Sequence, residues 1–154
     1  MKIEEPPRVP GVYALLLLLR EPVTVRVLGR VFRLEPGCYV YVGSARGPGG
    51  LRARIARHAA AEKRVKWHVD QLTSGAAELA RVVYFEAMVR ECVLVPHLEQ
   101  LGFEHPVPGF GSSDCGSCRS HLLRCPRGCG ECAELVEEAF RRAGLEPRCL
   151  LLRA

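Results

Sequence analysis

An α/β or α+β domain, with a central, mixed, mostly antiparallel sheet flanked by helices, is the fold class this sequence predicts, and three observations predict it. Short apolar or alternating runs separated by Gly and Pro turns fill the stretch from Gly11 to Gly43, which is the pattern of antiparallel strands. Segments with helical spacing follow, alternating with further short apolar runs. The chain has 154 residues, 48% of them hydrophobic, which suits one ordinary core. The expected organisation is an entry tail over 1–10 and a single domain over 11–154. Within that domain 11–101 forms the core and 110–154 a Cys-rich elaboration.

Pro6, Pro7 and Pro10 keep residues 1–10 out of any regular element. Gly11 to Leu19 is short, continuous and apolar, and reads as a buried strand. Val23 to Leu28 alternates Val with Thr24 and Arg26, Gly29-Arg30 marks a turn, and Val31 to Leu34 completes what reads as an antiparallel meander. Pro36-Gly37 turns the chain into a further strand, Cys38 to Val42. Gly47-Pro48-Gly49-Gly50 feeds a helix from Leu51 to about Ala61, with Leu51, Ile55 and Ala59 facing the core. A short helix at Trp67 to Leu72, a strand at Leu79 to Phe85 and a helix from Val89 to Leu101, stopped by Gly102, come next. After the loop Pro106 to Ser113, His121 to Arg124 reads as a strand, Glu131 to Ala143 as a helix ended by Gly144, and Cys149 to Leu152 as a last strand.

The run Val12 to Leu19 is too short to cross a bilayer, and Glu4 and Glu5 stand where a signal peptide carries positive charge. A cytoplasmic protein with no membrane partner is expected. The net charge of +5 is unevenly spread. Arg46, Arg52, Arg54, Arg57, Lys63, Arg64 and Lys66 face a single acid, Glu62; taking those seven from 22 cations and that one from 17 acids leaves 15 against 16. Clustered guanidinium groups suit a polyanion, because they fork onto phosphate oxygens and release counterions. A solvated helix face carries the same pattern. The chain has no Asn, and arginine far outnumbers lysine, a composition that suits a thermophile or a GC-rich genome.

Gly11-Val12-Tyr13 on one strand and Tyr41-Val42-Gly43 on a later one are followed by Leu51-Arg52-Ala53-Arg54-Ile55 and then His58. This ordered set resembles the signature of the GIY-YIG nuclease superfamily. Lys66-Trp67-His68-Val69-Asp70-Gln71-Leu72, Gly109-Phe110-Gly111-Ser112-Ser113-Asp114-Cys115 and Ser120-His121-Leu122 are similar to motifs of its uncharacterised, largely archaeal branch, sometimes fused to endonuclease III-type glycosylases. The likeness extends to about residue 122. It implies a metal-dependent endonuclease acting on DNA in repair or processing, with RNA left open as a substrate and a DNA-repair protein as a further partner. Tyr13 would orient or deprotonate the water, with Tyr41 beside it and His58 as another proton acceptor. Arg54 would neutralise the phosphate, and Glu91 would hold one Mg²⁺ or Mn²⁺, with Glu86 and Glu99 as reserves. A cation that keeps most of its waters needs only one or two carboxylates. Arg46, Arg52, Arg57, Lys63, Arg64 and Lys66 would bind the polynucleotide.

The longer gap between the two halves, attributed to an added hairpin around Arg20 to Glu35, the expanded loop Arg46 to Gly50, and Ser44 in place of a lysine are departures from compact members that bear on substrate choice. Two other readings fit the same residues: a catalytically inactive nucleic-acid-binding module, and a zinc-stabilised interaction domain. The second rests on Cys115, Cys118, Cys129 and Cys132, two C-x-x-C pairs with zinc-ribbon spacing, for which His121 could replace one ligand. Structural zinc, disulfides and free thiols all remain open for that cluster, and Cys38, Cys92 and Cys149 read as core residues. His68, Ser112, Ser113, Asp114 and His121 form a second polar cluster that either lines a cleft or anchors a loop. The sequence leaves the oligomeric state undecided.

Overall fold

The computed structural model describes residues 5–60, 62–112 and 117–151. The fold is α+β. Among the described residues, seven strands and four helices follow in the order β1 (Gly11–Leu19), β2 (Val23–Val27), β3 (Arg30–Leu34), β4 (Gly37–Ala45), α1 (Gly50–Ala59), α2 (Asp70–Thr73), β5 (Glu78–Glu86), α3 (Val95–Gln100), β6 (Leu122–Arg124), α4 (Cys129–Arg142) and β7 (Arg148–Leu151). A three-residue 3-10 turn, Glu91–Val93, precedes α3. The main sheet runs β6-β4-β1-β5-β7, and all four of its pairings are antiparallel.

β1 lies at the centre of this sheet and is covered on both faces, which is why its sequence shows no alternation. Its odd-numbered residues Tyr13, Leu15 and Leu17 pack with Leu51 and Ile55 of α1, Leu72 of α2 and the β2-β3 hairpin. Its even-numbered residues Val12, Ala14 and Leu16 pack with Leu98 of α3 and with Val136 and Phe140 of α4. The result is a three-layer arrangement, and burying each leucine of β1 contributes about 2 kcal/mol. α4 shows the matching one-sided pattern, with Cys132, Ala133, Val136, Ala139 and Phe140 turned inward.

The structure departs from the sequence reading at three places. The meander does not form: β1 pairs directly with β4, while β2 and β3 make a separate two-stranded sheet whose turn is Leu28-Gly29. The hairpin instead lays Val25, Val27 and Leu34 over the face that carries Tyr13. Ala59 is exposed, and His58 takes the inward position at the end of α1. The helix expected from Val89 is interrupted, because Pro96 sits in the first turn of α3 where a missing N–H costs nothing and a helix begins afresh. Glu91 therefore stands in a tight turn rather than within a helix.

Candidate active site

Tyr13 on β1 lies opposite Gly43 on β4, and Leu15 lies opposite Tyr41. The two tyrosines are thus diagonal neighbours on one face of the sheet. The glycines of the two motifs have steric reasons. A Cβ on Gly43 would run into the Tyr13 hydroxyl, and one on Gly11 would meet the Leu51 side chain at 2.6 Å, so larger residues there would push Tyr13 or α1 off the sheet.

α1 covers the tyrosines and delivers two groups to them. His58, only 1% exposed, places Nε2 2.8 Å from the Tyr13 hydroxyl, and its ring sits 5.3 Å from Tyr13, 6.2 Å from Tyr41 and 5.9 Å from Trp67. Burial, helped by the Lys63 ammonium, lowers the His58 pKa to about 3, so its imidazole is neutral at ordinary pH. The same burial raises Tyr13 to about 12, an effect that Arg54 partly opposes by charge and by a hydrogen bond. Burial also pushes Tyr41 upward, with the neighbouring Tyr13 next in importance. Arg54 donates to the Ser44 carbonyl at 3.2 Å, and its guanidinium lies 4.6 Å from the centre of the Trp67 ring.

Glu91 closes the opposite wall. The Ser44 hydroxyl donates to Glu91 Oε2, and the Glu91 backbone N–H donates back to the Ser44 oxygen at 2.8 Å. Glu91 Oε1 lies 3.5 Å from His121 Nδ1, and the carboxylate is 12% exposed. A pocket of about 290 Å³ results, lined by Tyr13, Tyr41, Arg54 and Glu91 together with Gly43, Ser44, Arg46, Trp67, Arg90, Gly111 and His121. His58 stands behind Tyr13, outside that lining. Glu86 is exposed at the end of β5, and Glu99 pairs with His105 at 2.7 Å; neither lines the pocket.

The basic residues divide by job. Arg57 makes two 2.8 Å hydrogen bonds to the fully buried Asp70, which also accepts from the backbone N–H groups of Lys66 and Trp67. Burial alone would raise Asp70; Arg57 and those N–H groups outweigh it and bring the carboxyl down to about 2. Lys63 donates to the Arg57 and His58 carbonyls at the end of α1 and to the Thr73 hydroxyl. Arg52 reaches the Pro6 carbonyl and, at 3.4 Å, Glu5, pinning the entry segment against α1. Arg46 stands at the pocket, and Arg64 and Lys66 are exposed in the segment that leads to the pocket residue Trp67.

Of the second polar cluster, His121 lines the pocket, His68 Nδ1 accepts from the Gly111 N–H at 2.8 Å, and Ser112 is buried in its loop. Ser113, Asp114 and Cys115 lie outside the described residues. The proposed Cys115, Cys118, Cys129 and Cys132 set is not assembled: Cys129 is bonded to Cys38 and Cys132 to Cys125. These disulfides form because the turn into α4 lies beside the start of β4, where the Cys125 N–H donates to the Cys38 carbonyl. Cys118 instead lies with Cys92 and His121, a Cys/His cluster of metal-ligating type. Cys149, read as a core residue, is exposed, and Cys92 is half-buried.

Sequence reasoning missed Ser44, Trp67 and Arg90 as pocket residues. Ser44 directly follows Tyr41-Val42-Gly43 and Arg90 directly precedes Glu91, so adjacency to a motif was the available signal.

The fold and pocket define a small α+β domain with a polar, arginine-bearing cleft at one end of an antiparallel sheet. The chain belongs to the family described as domain of unknown function DUF123, whose model matches residues 12–145. No curated protein and no solved structure matches the chain. Among the described residues, no helix is long and apolar enough to cross a membrane.

Proposed function

We propose that this chain is a divalent-metal-dependent endonuclease of the GIY-YIG type that hydrolyses phosphodiester bonds in DNA during repair or processing. One observation carries the reading. Tyr13, Tyr41, Arg54 and Glu91, drawn from β1, β4, α1 and the turn after β5, line a single pocket.

The residues suit the steps of that reaction. Tyr13 is placed to take a proton from an attacking water while passing its own phenolic proton to His58 Nε2. His58 can accept it because burial keeps the imidazole neutral. Arg54 stands beside the Tyr13 hydroxyl, where its charge favours the phenolate and meets the non-bridging phosphate oxygens. Tyr41, on the same face, fixes the other side of the water site. Glu91 offers a hard oxygen donor whose orientation Ser44 and His121 set, which fits Mg²⁺ or Mn²⁺. Such an ion, when bound, supplies charge stabilisation at the leaving 3'-oxygen. Trp67 and Arg46 at the rim suit a base face and a flanking phosphate.

The test is cleavage of labelled single-stranded, duplex, flap, branched and damaged DNAs, with matching RNAs, in Mg²⁺ or Mn²⁺. Cutting by wild type that is abolished in Tyr13→Phe, Arg54→Ala and Glu91→Ala is the expected result. Binding without cutting, lost when Arg46, Arg64 and Lys66 are neutralised, would make the protein a binding module instead.

A further inference from the structure

We propose that Cys92, Cys118 and His121 form a zinc site that pins the Glu91 turn to the loop before β6. The ligand atoms of these three residues all lie within 4.8 Å of one another. Cys92 Sγ and His121 Nε2 are 3.7 Å apart. With Zn–S near 2.3 Å and Zn–N near 2.1 Å, a tetrahedral edge between sulfur and nitrogen measures about 3.6 Å, so one ion spans the pair without moving either side chain.

The two nitrogens of His121 are divided as a metal-bound histidine requires. Nε2 faces the sulfurs, while Nδ1 faces Glu91 Oε1 at 3.5 Å. With Nε2 on a metal, the ring proton must reside on Nδ1 and point at the carboxylate, the carboxylate–histidine–zinc arrangement. The backbone that carries the ring is held on both sides, its N–H donating to Phe110 O at 2.8 Å and its carbonyl accepting from Val42 N at 3.0 Å. His121 is 2% exposed.

Donor type selects the ion. Two thiols and an imidazole are soft and borderline donors that favour Zn²⁺ over Mg²⁺ or Mn²⁺, whereas the pocket-facing Glu91 has the opposite preference. Binding replaces the thiol protons of Cys92 and Cys118, which pass to solvent. The described residues supply three of the four positions of a tetrahedral site. Its role is to position: Glu91 and Cys92 share a 3-10 turn of three residues, too short to hold itself, and a zinc link to Cys118 and His121 fixes that wall of the pocket. The site does not depend on the nuclease reading, since zinc content and cleavage are separate measurements.

The test is metal analysis of the full chain after exhaustive dialysis against a weak chelator, for wild type, Cys118→Ser, His121→Asn and Cys129→Ser. Expected is one zinc per chain in wild type and in Cys129→Ser, and zinc affinity weakened roughly 100-fold or more in the two ligand variants. Zinc absent from wild type, or kept in Cys118→Ser and lost in Cys129→Ser, overturns the proposal. Should a variant fail to fold, X-ray absorption of zinc-loaded wild type decides. A mixed sulfur and imidazole shell supports the site; an all-sulfur or all-oxygen shell refutes it.

Discussion

His58 makes the sharpest physical prediction, because it is a buried base with one nitrogen bonded to Tyr13 and the other, Nδ1, without a hydrogen-bond partner among the described residues. Its pKa is about 3 in the fold against about 6.5 for histidine in an unfolded chain. The sign follows from which state binds the proton. As pH falls through the unfolded value, the unfolded chain takes up a proton and the folded chain does not, so stability falls with pH and keeps falling until the folded value is reached. Between about pH 6.5 and about pH 5 the loss from this residue alone is about 2 kcal/mol, and down to the folded value it approaches about 5 kcal/mol. Urea unfolding of wild type and His58→Gln at both pH values isolates the effect, since groups common to the two proteins cancel. Wild type should lose about 2 kcal/mol more than the variant over that interval. Equal losses would show that His58 titrates in the fold as it does in the unfolded chain, and would refute the effect of burial on its imidazole.

Four further outcomes are expected. Arg57→Met leaves the buried Asp70 carboxylate with only backbone donors and should cost about 3 kcal/mol of unfolding free energy, read from the urea midpoint at unchanged slope. Cys129→Ser opens a link between residues 91 apart and should cost about 5 kcal/mol on the chain-entropy account, with reductant lowering the wild-type melting temperature toward that of the variant. Trp67 is the sole tryptophan and borders the pocket, so titration with an oligonucleotide should change its fluorescence, and Arg54→Ala should weaken the response. Gly43→Ala should lower stability by roughly 1–3 kcal/mol, measured by thermal melting, because its methyl group displaces the Tyr13 ring.

Much of the fold was legible because its signals are local. The strands at Gly11, Cys38 and Leu79 and the helix at the C-terminal end announce themselves by apolar runs between Gly and Pro stops, and the tyrosines and Arg54 follow from their places on those elements. What stayed hidden depends on distant pairing. The added hairpin around Arg20 to Glu35 was legible, but nothing near Val23 says that it forms a separate sheet and lets β1 pair directly with β4. The bond from Cys38 to Cys129 joins residues 91 apart, and spacing among the later cysteines pointed to a different grouping. Asp70, in a motif of unassigned role, is the internal anchor of Arg57, a pairing that the spacing of the two residues does not announce. His121 was read as a polar residue of open role and as a stand-in ligand for the later cysteines, whereas its partners Glu91 and Cys92 come from the turn after β5. The break before α3 was readable at Pro96, where the helical pattern restarts.

The most direct test of the account is a single-turnover comparison of wild type and Glu91→Ala on one labelled DNA that wild type cuts, with affinity measured in the same samples. Cleavage should be slowed by about 100-fold or more with binding nearly unchanged if, as proposed, Glu91 serves the reacting centre rather than the polynucleotide. Cleavage that survives the substitution, or affinity that falls as steeply as the rate, would contradict it.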